Sequence, residues 1–299
     1  MNIYTEPFVG SAAIAAGTVK KHQLRSGFRA VLPNVYVAPD LVLTTAHRAR
    51  AAWLWSHRQG VIAGRTAAAL HGARWIDESA PVELVWRNAR APRGVRTSAM
   101  SLTPAQVCEV AGLPVTTAER TAFDLGRRNP LRQAVADLDA LCRATAVTPD
   151  DIRAVAVLHP GVRGLRLLER AVSLVDPGAQ SPRETWLRLL LIEEGLPAPR
   201  TQIPVCADDG FVFAYLDMGW PELMVAVEYD GDQHRTDRWQ YVKDIRRIAE
   251  LERRGWIVIR VVAEDRPWEV IRRVRTAFAQ RDAGTARSAS GLRSDRGKP

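Results

Sequence analysis

The chain has 299 residues, with 42 Lys and Arg against 33 Asp and Glu, a formal net charge of +9 and an isoelectric point near 10.1. That length exceeds what one core needs and predicts two or three domains, while 46% hydrophobic and 25% charged residues exclude a disordered or fibrous chain. The basic balance comes mainly from arginine and favours a polyanionic partner, nucleic acid first, over an acidic small substrate.

The N-terminus MNIYTEPFVG lacks the basic start and apolar core of a secretion signal, and no apolar run is long enough to span a bilayer, so a cytoplasmic protein without a membrane partner is expected. From Thr5 to about Arg25 the pattern predicts modest helix, cut into short pieces by Gly10 and Gly17. Two short β runs follow, around FRAV and VYVA, joined by Pro33 and Asn34. Short helices ahead of a small hairpin outline a winged helix over residues 1–50, on which Lys20, Lys21, Arg25 and Arg29 are candidates to meet phosphate. A solvated basic face is the alternative for the same four residues.

HRARAAWLWSHR from His47 and GRTAAALHGARW from Gly64 predict two helices, the second closed by His71 and Gly72. Strand-like PVELVW and GVRTSAM come next, separated by the turn-rich, basic RNARAPRG. In LPVTTAERTAFDLGRR, Thr117 caps a helix on which Arg120 and Asp124 stand one turn apart. His71, Trp75 and that pair read as packing and capping features, since no acid, base and nucleophile converge there.

Residues 8 to about 125 resemble the AbiEi-type antitoxins of type IV toxin–antitoxin systems, through the winged-helix outline, GRTAAALHG and LPVTTAERTAFDL. The resemblance implies a DNA-binding N-terminal module, an antitoxin-like α/β and helical region over residues 51–178, and a toxin or regulatory partner. Further helices are predicted at 131–142, at 149–158 with Thr148 as cap, and at 165–175, up to the break DPGAQSP. The cysteines Cys108, Cys142 and Cys206 form no CxxC pair or ligand spacing with histidine, so neither a zinc site nor a disulfide framework is expected.

Ser181-Pro182-Arg183-Glu184 is a capping box with proline at the first helical position, and the helix WLRLLLIEE runs to Gly195. A strand around TQIPVCA, a turn at Asp209-Gly210, and the strands FVFAYLDM and LMVAVEY follow. A helix from about Asp237 to Arg254, the strand WIVIRVVA and a helix from Trp268 to about Gln280 complete the order α-β-β-β-α-β-α, an α/β (α+β) domain over residues 179–281. Residues 282–299, rich in Arg, Ser, Gly and Ala, predict a disordered basic tail.

Within this order Asp217 falls near the end of one strand and Glu228 and Asp230 near the end of the next, with Pro221 and Glu222 in the turn between. Carboxylates crowded at one end of a hairpin repel one another and take up protons, unless a hard divalent cation such as Mg²⁺ or Mn²⁺ neutralises them. Gly231 allows a sharp turn that brings His234, an imidazole titrating near neutral pH, beside the metal. Solvated strand caps and an ordinary Asp-Gly turn are the alternative for each residue alone. Together, on adjacent strands, they favour a metal site.

Residues 181 to about 280 resemble the PD-(D/E)XK nuclease superfamily, in the uncharacterised branch allied to the very-short-patch-repair (Vsr-like) endonucleases. The matching positions are Glu184, Gln202, Asp217, the segment EYDGDQH from Glu228 to His234, Asp244, Arg247, Gly255 and Arg260; Asp230 stands where the wider superfamily has a lysine. The resemblance implies a restriction-endonuclease-like αβββαβ core and metal-assisted phosphodiester hydrolysis. Asp217 and Glu228 would hold the metal, Asp230 would complete the site or orient water, His234 would act as general acid or base, and Arg260 or Arg247 would oppose charge on the phosphate.

Other roles compete for some of these residues. Glu184 already has a backbone partner as a capping-box residue, Asp244 and Arg247 can pair one turn apart, and Arg238, Arg246, Arg253 and Arg254 can form a solvated basic face. Two functions follow, a metal-dependent endonuclease acting on DNA ahead of RNA, or a non-catalytic DNA-binding regulator on an inactivated nuclease fold.

Overall fold

The computed structural model describes residues 5–88, 90–231 and 238–294, and it shows a mixed α/β (α+β) protein with three separate sheets. The chain divides into two units, residues 1–177 and 178–299.

In the first unit, β1 (Phe8–Val9), α1 (Gly10–Ala15), α2 (Lys21–Gly27), β2 (Arg29–Leu32) and β3 (Val35–Val37) build an antiparallel sheet in the order β1-β3-β2. Gly10 does not break a helix as its residue type suggests; it starts α1, buried where a Cβ would stand 2.6 Å from the Tyr36 ring. β1 escaped sequence reading because two residues carry no alternation.

A five-stranded sheet in the order β6-β5-β4-β8-β7 follows, built from β4 (Val61–Ile62), β5 (Val82–Val85), β6 (Val95–Ser98), β7 (Val107–Val110) and β8 (Leu113–Thr116). Val82, Leu84, Val95, Leu113 and Val115 bury themselves against Ala49 and Ala52 of α3 (Thr45–Trp55) and Ala67 of α4 (Gly64–Leu70). Alanines let helix backbone approach the sheet closely, which explains why these helices read as alanine runs. LPVT, to which the sequence reading assigns no strand, is β8, directly before the Thr117 cap.

Helices α5 (Ala118–Arg128), α6 (Leu131–Ala144), α7 (Pro149–Val157) and α8 (Leu165–Val172) complete the unit. Thr117 accepts the Arg120 N–H and Thr148 the Asp151 N–H, so both expected caps form. The Arg120–Asp124 pair closes at 2.8 Å with both side chains buried, and Arg120 also donates to Gln106 Oε1 at 2.6 Å. A buried guanidinium is tolerable only with its donors met in this way.

The second unit runs α9 (Pro182–Glu193), β9 (Arg200–Cys206), β10 (Val212–Trp220), β11 (Val225–Tyr229), α10 (Arg238–Arg253), β12 (Ile257–Val261) and α11 (Pro267–Ser294). Its sheet has the order β12-β11-β10-β9, antiparallel from β9 to β11 and parallel between β11 and β12. A parallel pair needs a crossover, and α10 supplies it. Met218, Trp220, Val225, Val227, Ile259 and Val261 pack against α9 and α11 on one face. Ala214, Leu216 and Ala226 pack against Leu251 of α10 on the other.

The last helix runs to Ser294, past the expected end near Gln280 and through most of the segment expected to be a disordered tail. Alanine and arginine are good helix formers, so a composition with little apolar content continues a helix already begun.

Gly219 pairs with Ala226 in the β10–β11 hairpin, and a Cβ there would lie 2.3 Å from the Val225 carbonyl oxygen and 2.8 Å from the Ala226 Cα. Backbone atoms of a buried strand cannot yield as a flexible side chain can. Gly219→Ala is expected to destabilise the protein by about 3 kcal/mol or more, as overpacking at its upper end does, read as a fall in denaturation midpoint. Wild-type stability in that variant would mean the hairpin is less tightly apposed than described.

Candidate active site

The carboxylates singled out in the sequence meet at the end of the hairpin. The register of β10 on β11 pairs Met218 with Val227 and Gly219 with Ala226, so one step further along Asp217 faces Glu228. On the other side the register pairs Leu216 with Ile203 and Met218 with Thr201, which sets Gln202 of β9 opposite Asp217. Gln202 holds a left-handed φ of 48°, unusual inside a strand.

β10 changes face at this same level. Ala214 and Leu216 pack on the α10 side, whereas Met218 and Trp220 pack on the α9 and α11 side. Residues two apart on a regular strand share a face. The alternation therefore shifts at Asp217, opposite the left-handed Gln202.

Asp217 is half-buried, and its Oδ2 accepts the Tyr229 N–H at 2.9 Å. Burial pushes its pKa up to about 7; the charges of Glu184 and Glu228 push the same way, against the Tyr229 hydrogen bond and the Arg247 charge. Glu184 sits at the start of α9. Its backbone N–H donates to Ser181 Oγ at 3.2 Å, while its carboxylate accepts the Ser181 hydroxyl at 2.9 Å and the Gln180 N–H at 2.8 Å. It is thus a capping residue and a neighbour of Asp217 at once.

Glu228 is buried, and both its oxygens take a bond from the Arg247 guanidinium, at 2.7 and 2.9 Å. Arg247 also donates to Asp244 Oδ1 at 2.8 Å. Asp244 Oδ2 lies 3.0 Å from Arg260, which reaches Asp230 Oδ2 at 2.5 Å. The result is a chain of alternating charge, Glu228–Arg247–Asp244–Arg260–Asp230, across α10, β11 and β12. The Glu228 partnership raises the pKa of Arg247 further, so this cation stays charged.

With Asp217 and Glu184 added, five acidic side chains and two guanidiniums gather here. Asp230 is drawn to Arg260 rather than to Asp217, and among the described residues no three His, Cys, Asp or Glu side chains gather as a metal cluster. His234 lies outside the described residues.

Gln180, which sequence reading did not single out, links the site's supports: its N–H reaches Glu184 and its side-chain amide donates to Gln202 Oε1 at 2.5 Å. Only its place just before the cap at Ser181 hints at this. Of the expected basic face, Arg253 and Arg254 both pair with Glu250, and Arg254 also with Asp208, so they are spoken for within the fold. In the first unit Lys20, Lys21, Arg25 and Arg29 are all exposed on α2 and its flanks, with Arg29 donating to the Leu41 carbonyl at 2.7 Å.

The residues present suit a divalent cation at Asp217 and Glu228. A carboxyl pushed toward neutrality by burial and by its acidic neighbours is the group whose proton a cation replaces, and Glu228 keeps lone pairs beyond those given to Arg247.

Comparison with known proteins is sparse. Two proteins of Mycobacterium tuberculosis, one from strain CDC 1551 / Oshkosh and one from strain ATCC 25618 / H37Rv, are each 26% identical to the chain over 200 residues, 67% of this chain and 73% of the relative; both are described as uncharacterised. No family model and no solved structure matches. Among the described residues no helix is long and apolar enough to cross a membrane.

A raised carboxyl pKa means that the folded chain holds its proton more tightly than the unfolded chain does. Stability at Asp217 therefore falls as pH rises from the unfolded value, near 3.8, to about 7, and stays low above it. Without metal, Asp217→Asn is expected to stabilise the protein at pH 8 by a few kcal/mol, on the order of 3, and to change little at pH 4. Melting curves at the two pH values check this; destabilisation at pH 8 would show that the carboxylate is welcome there.

Proposed function

We propose that the second unit is a metal-dependent nuclease domain of the PD-(D/E)XK kind and that the protein hydrolyses phosphodiester bonds in nucleic acid, DNA ahead of RNA. The observation that carries this reading is the apposition of Asp217 and Glu228 across adjacent strands, with Glu184 close by and the charge chain to Arg260 beside them. A helix, a three-stranded meander, a crossover helix and a parallel fourth strand support the restriction-endonuclease-like core.

Asp217 and Glu228 would hold Mg²⁺ or Mn²⁺, which when bound lowers the pKa of a coordinated water and neutralises charge on the phosphate. Arg247 fixes the Glu228 carboxylate through two bonds, so its orientation costs nothing when substrate arrives. Asp244 and Asp230 fix Arg260, a positive charge available to a phosphate oxygen. Where the superfamily carries a lysine this chain has Asp230, and Arg260 brings a cation to that place from the neighbouring strand. His234 is the candidate to move the proton. The first unit, with its short helices, hairpin and exposed Lys20, Lys21, Arg25 and Arg29, would be an antitoxin-like targeting module on DNA, open to a toxin or regulatory partner.

One observation favours a second reading. Arg247, Asp244, Arg260 and Asp230 satisfy one another, as a fold kept for binding alone would require, and this suits a non-catalytic DNA-binding regulator.

Incubation of duplex DNA, single-stranded DNA and RNA with Mg²⁺ or Mn²⁺ separates the two. Wild type is expected to cleave at least one of them, and Asp217→Ala to lose about a hundredfold or more in rate, some 2.7 kcal/mol of barrier. Cleavage that survives Asp217→Ala would remove the site from the account. Absent cleavage with intact DNA binding would favour the regulator.

A further inference from the structure

The segment between β5 and β6 takes no part in the reading above. From Leu84 to Cys108 the chain has four arginines and no Asp or Glu. Arg87, Arg90, Arg93 and Arg96 recur at every third residue and are all exposed. Elsewhere in the same unit Arg50, Arg65, Arg120 and Arg127 each have a carboxylate partner. Among the described residues these four have none.

The described residues of the arm that carries them are held by hydrogen bonds on either side of residue 89. Asn88 Oδ1 accepts the Arg90 N–H at 2.8 Å, and the Asn88 carbonyl accepts the Thr97 hydroxyl. The Val95 N–H closes a turn onto the Pro92 carbonyl at 3.1 Å, and Gly94 takes the left-handed φ of 87° that the turn needs. At its root, Trp86 packs edge-on to Trp55 with ring centres 5.1 Å apart, and the His57 ring stands 6.4 Å from Trp86.

His57 and Arg58 follow α3 with left-handed φ of 55° and 64°, exposed, where glycine or asparagine would sit at less cost. The first of these two strained turn positions thus stands beside the root of the arm, and the Arg58 guanidinium lies over the Trp53 ring at 5.7 Å. Strain of this kind persists where the surroundings impose it.

We infer that this arm, with His57 and Arg58, is a second nucleic-acid contact of the first unit, on which Arg87, Arg90 and Arg93 meet backbone phosphates. Guanidinium forks match phosphate oxygens in pairs, which suits arginine without a single lysine in the arm. Regular spacing suits a regularly charged backbone better than an acidic patch on a protein. The inference rests on the proposed function for its partner class alone, and it stands without catalysis.

The test uses the full-length chain as wild type and as the triple variant Arg87→Ser/Arg90→Ser/Arg93→Ser. Labelled duplex DNA and single-stranded RNA, each about 30 nucleotides long, and polyglutamate are titrated across about 50–200 mM salt, a range over which phosphate contacts change affinity strongly. Wild type is expected to bind nucleic acid. The triple variant is expected to bind duplex at least about tenfold more weakly, with a salt slope shallower by about 2.7, three contacts at about 0.9 each. Its melting temperature should match wild type, because the three side chains are exposed. A triple variant with wild-type affinity and slope overturns the inference. So does a preference for polyglutamate, or an absence of nucleic-acid binding in wild type. Arm-dependent binding without cleavage by wild type leaves the inference standing and removes the nuclease reading.

Discussion

Two carboxylates held side by side at the end of a buried hairpin are the constraint on which the second unit turns. Asp217 and Glu228 face each other across β10 and β11, Glu184 adds a third charge, and water is too scarce there to screen them. The fold answers Glu228 with a cation: Arg247 grips it with both arms of its guanidinium. Asp217 accepts a backbone N–H and feels the Arg247 charge, yet burial and its acidic neighbours still push its pKa up to about 7. A chain selected for stability alone would place an apolar side chain at that position, since partly paired buried charge is a net cost. Its presence points to function.

Much of the unit's architecture serves to hold that pair in register. Gly219 lets β10 and β11 come closer than any side chain would allow, and the sheet behind them is sealed on both faces, by α9 and α11 on one and α10 on the other. α10 then contributes Arg247 and Asp244, one turn apart, to the line of charges that ends at Asp230. The arginines of this region divide accordingly. Arg253 and Arg254 brace Glu250, whereas Arg247 and Arg260 belong to the site.

The elements of the second unit were legible because each is long and marked at its ends. Ser181 and Pro182 start α9, Asp209-Gly210 makes the first turn, and the apolar runs of β10, β11 and β12 lie within a few residues of where their composition sets them. The first unit was less readable, since β1 and β4 have two residues each and β8 lies directly before a cap. At the site, the pairing of Asp217 with Glu228 follows from strand order, and the i,i+3 pair Asp244–Arg247 from helical spacing. The bond from Arg260 to Asp230, the grip of Arg247 on Glu228 and the left-handed Gln202 opposite Asp217 join residues that are distant in sequence, and no local pattern encodes them. Asp230 shows the limit most clearly. Alternation gives it the face of Glu228, yet the carboxylate leaves for the guanidinium of the next strand.

If the unrelieved charge at Asp217 is a cation site, it should take up one divalent ion without any substrate. Calorimetric titration of wild type and Asp217→Asn with Mn²⁺ at pH 7.5 measures this directly. The account requires a single saturable site in wild type that is lost in Asp217→Asn. Equal binding by the two proteins, or none by either, would contradict it.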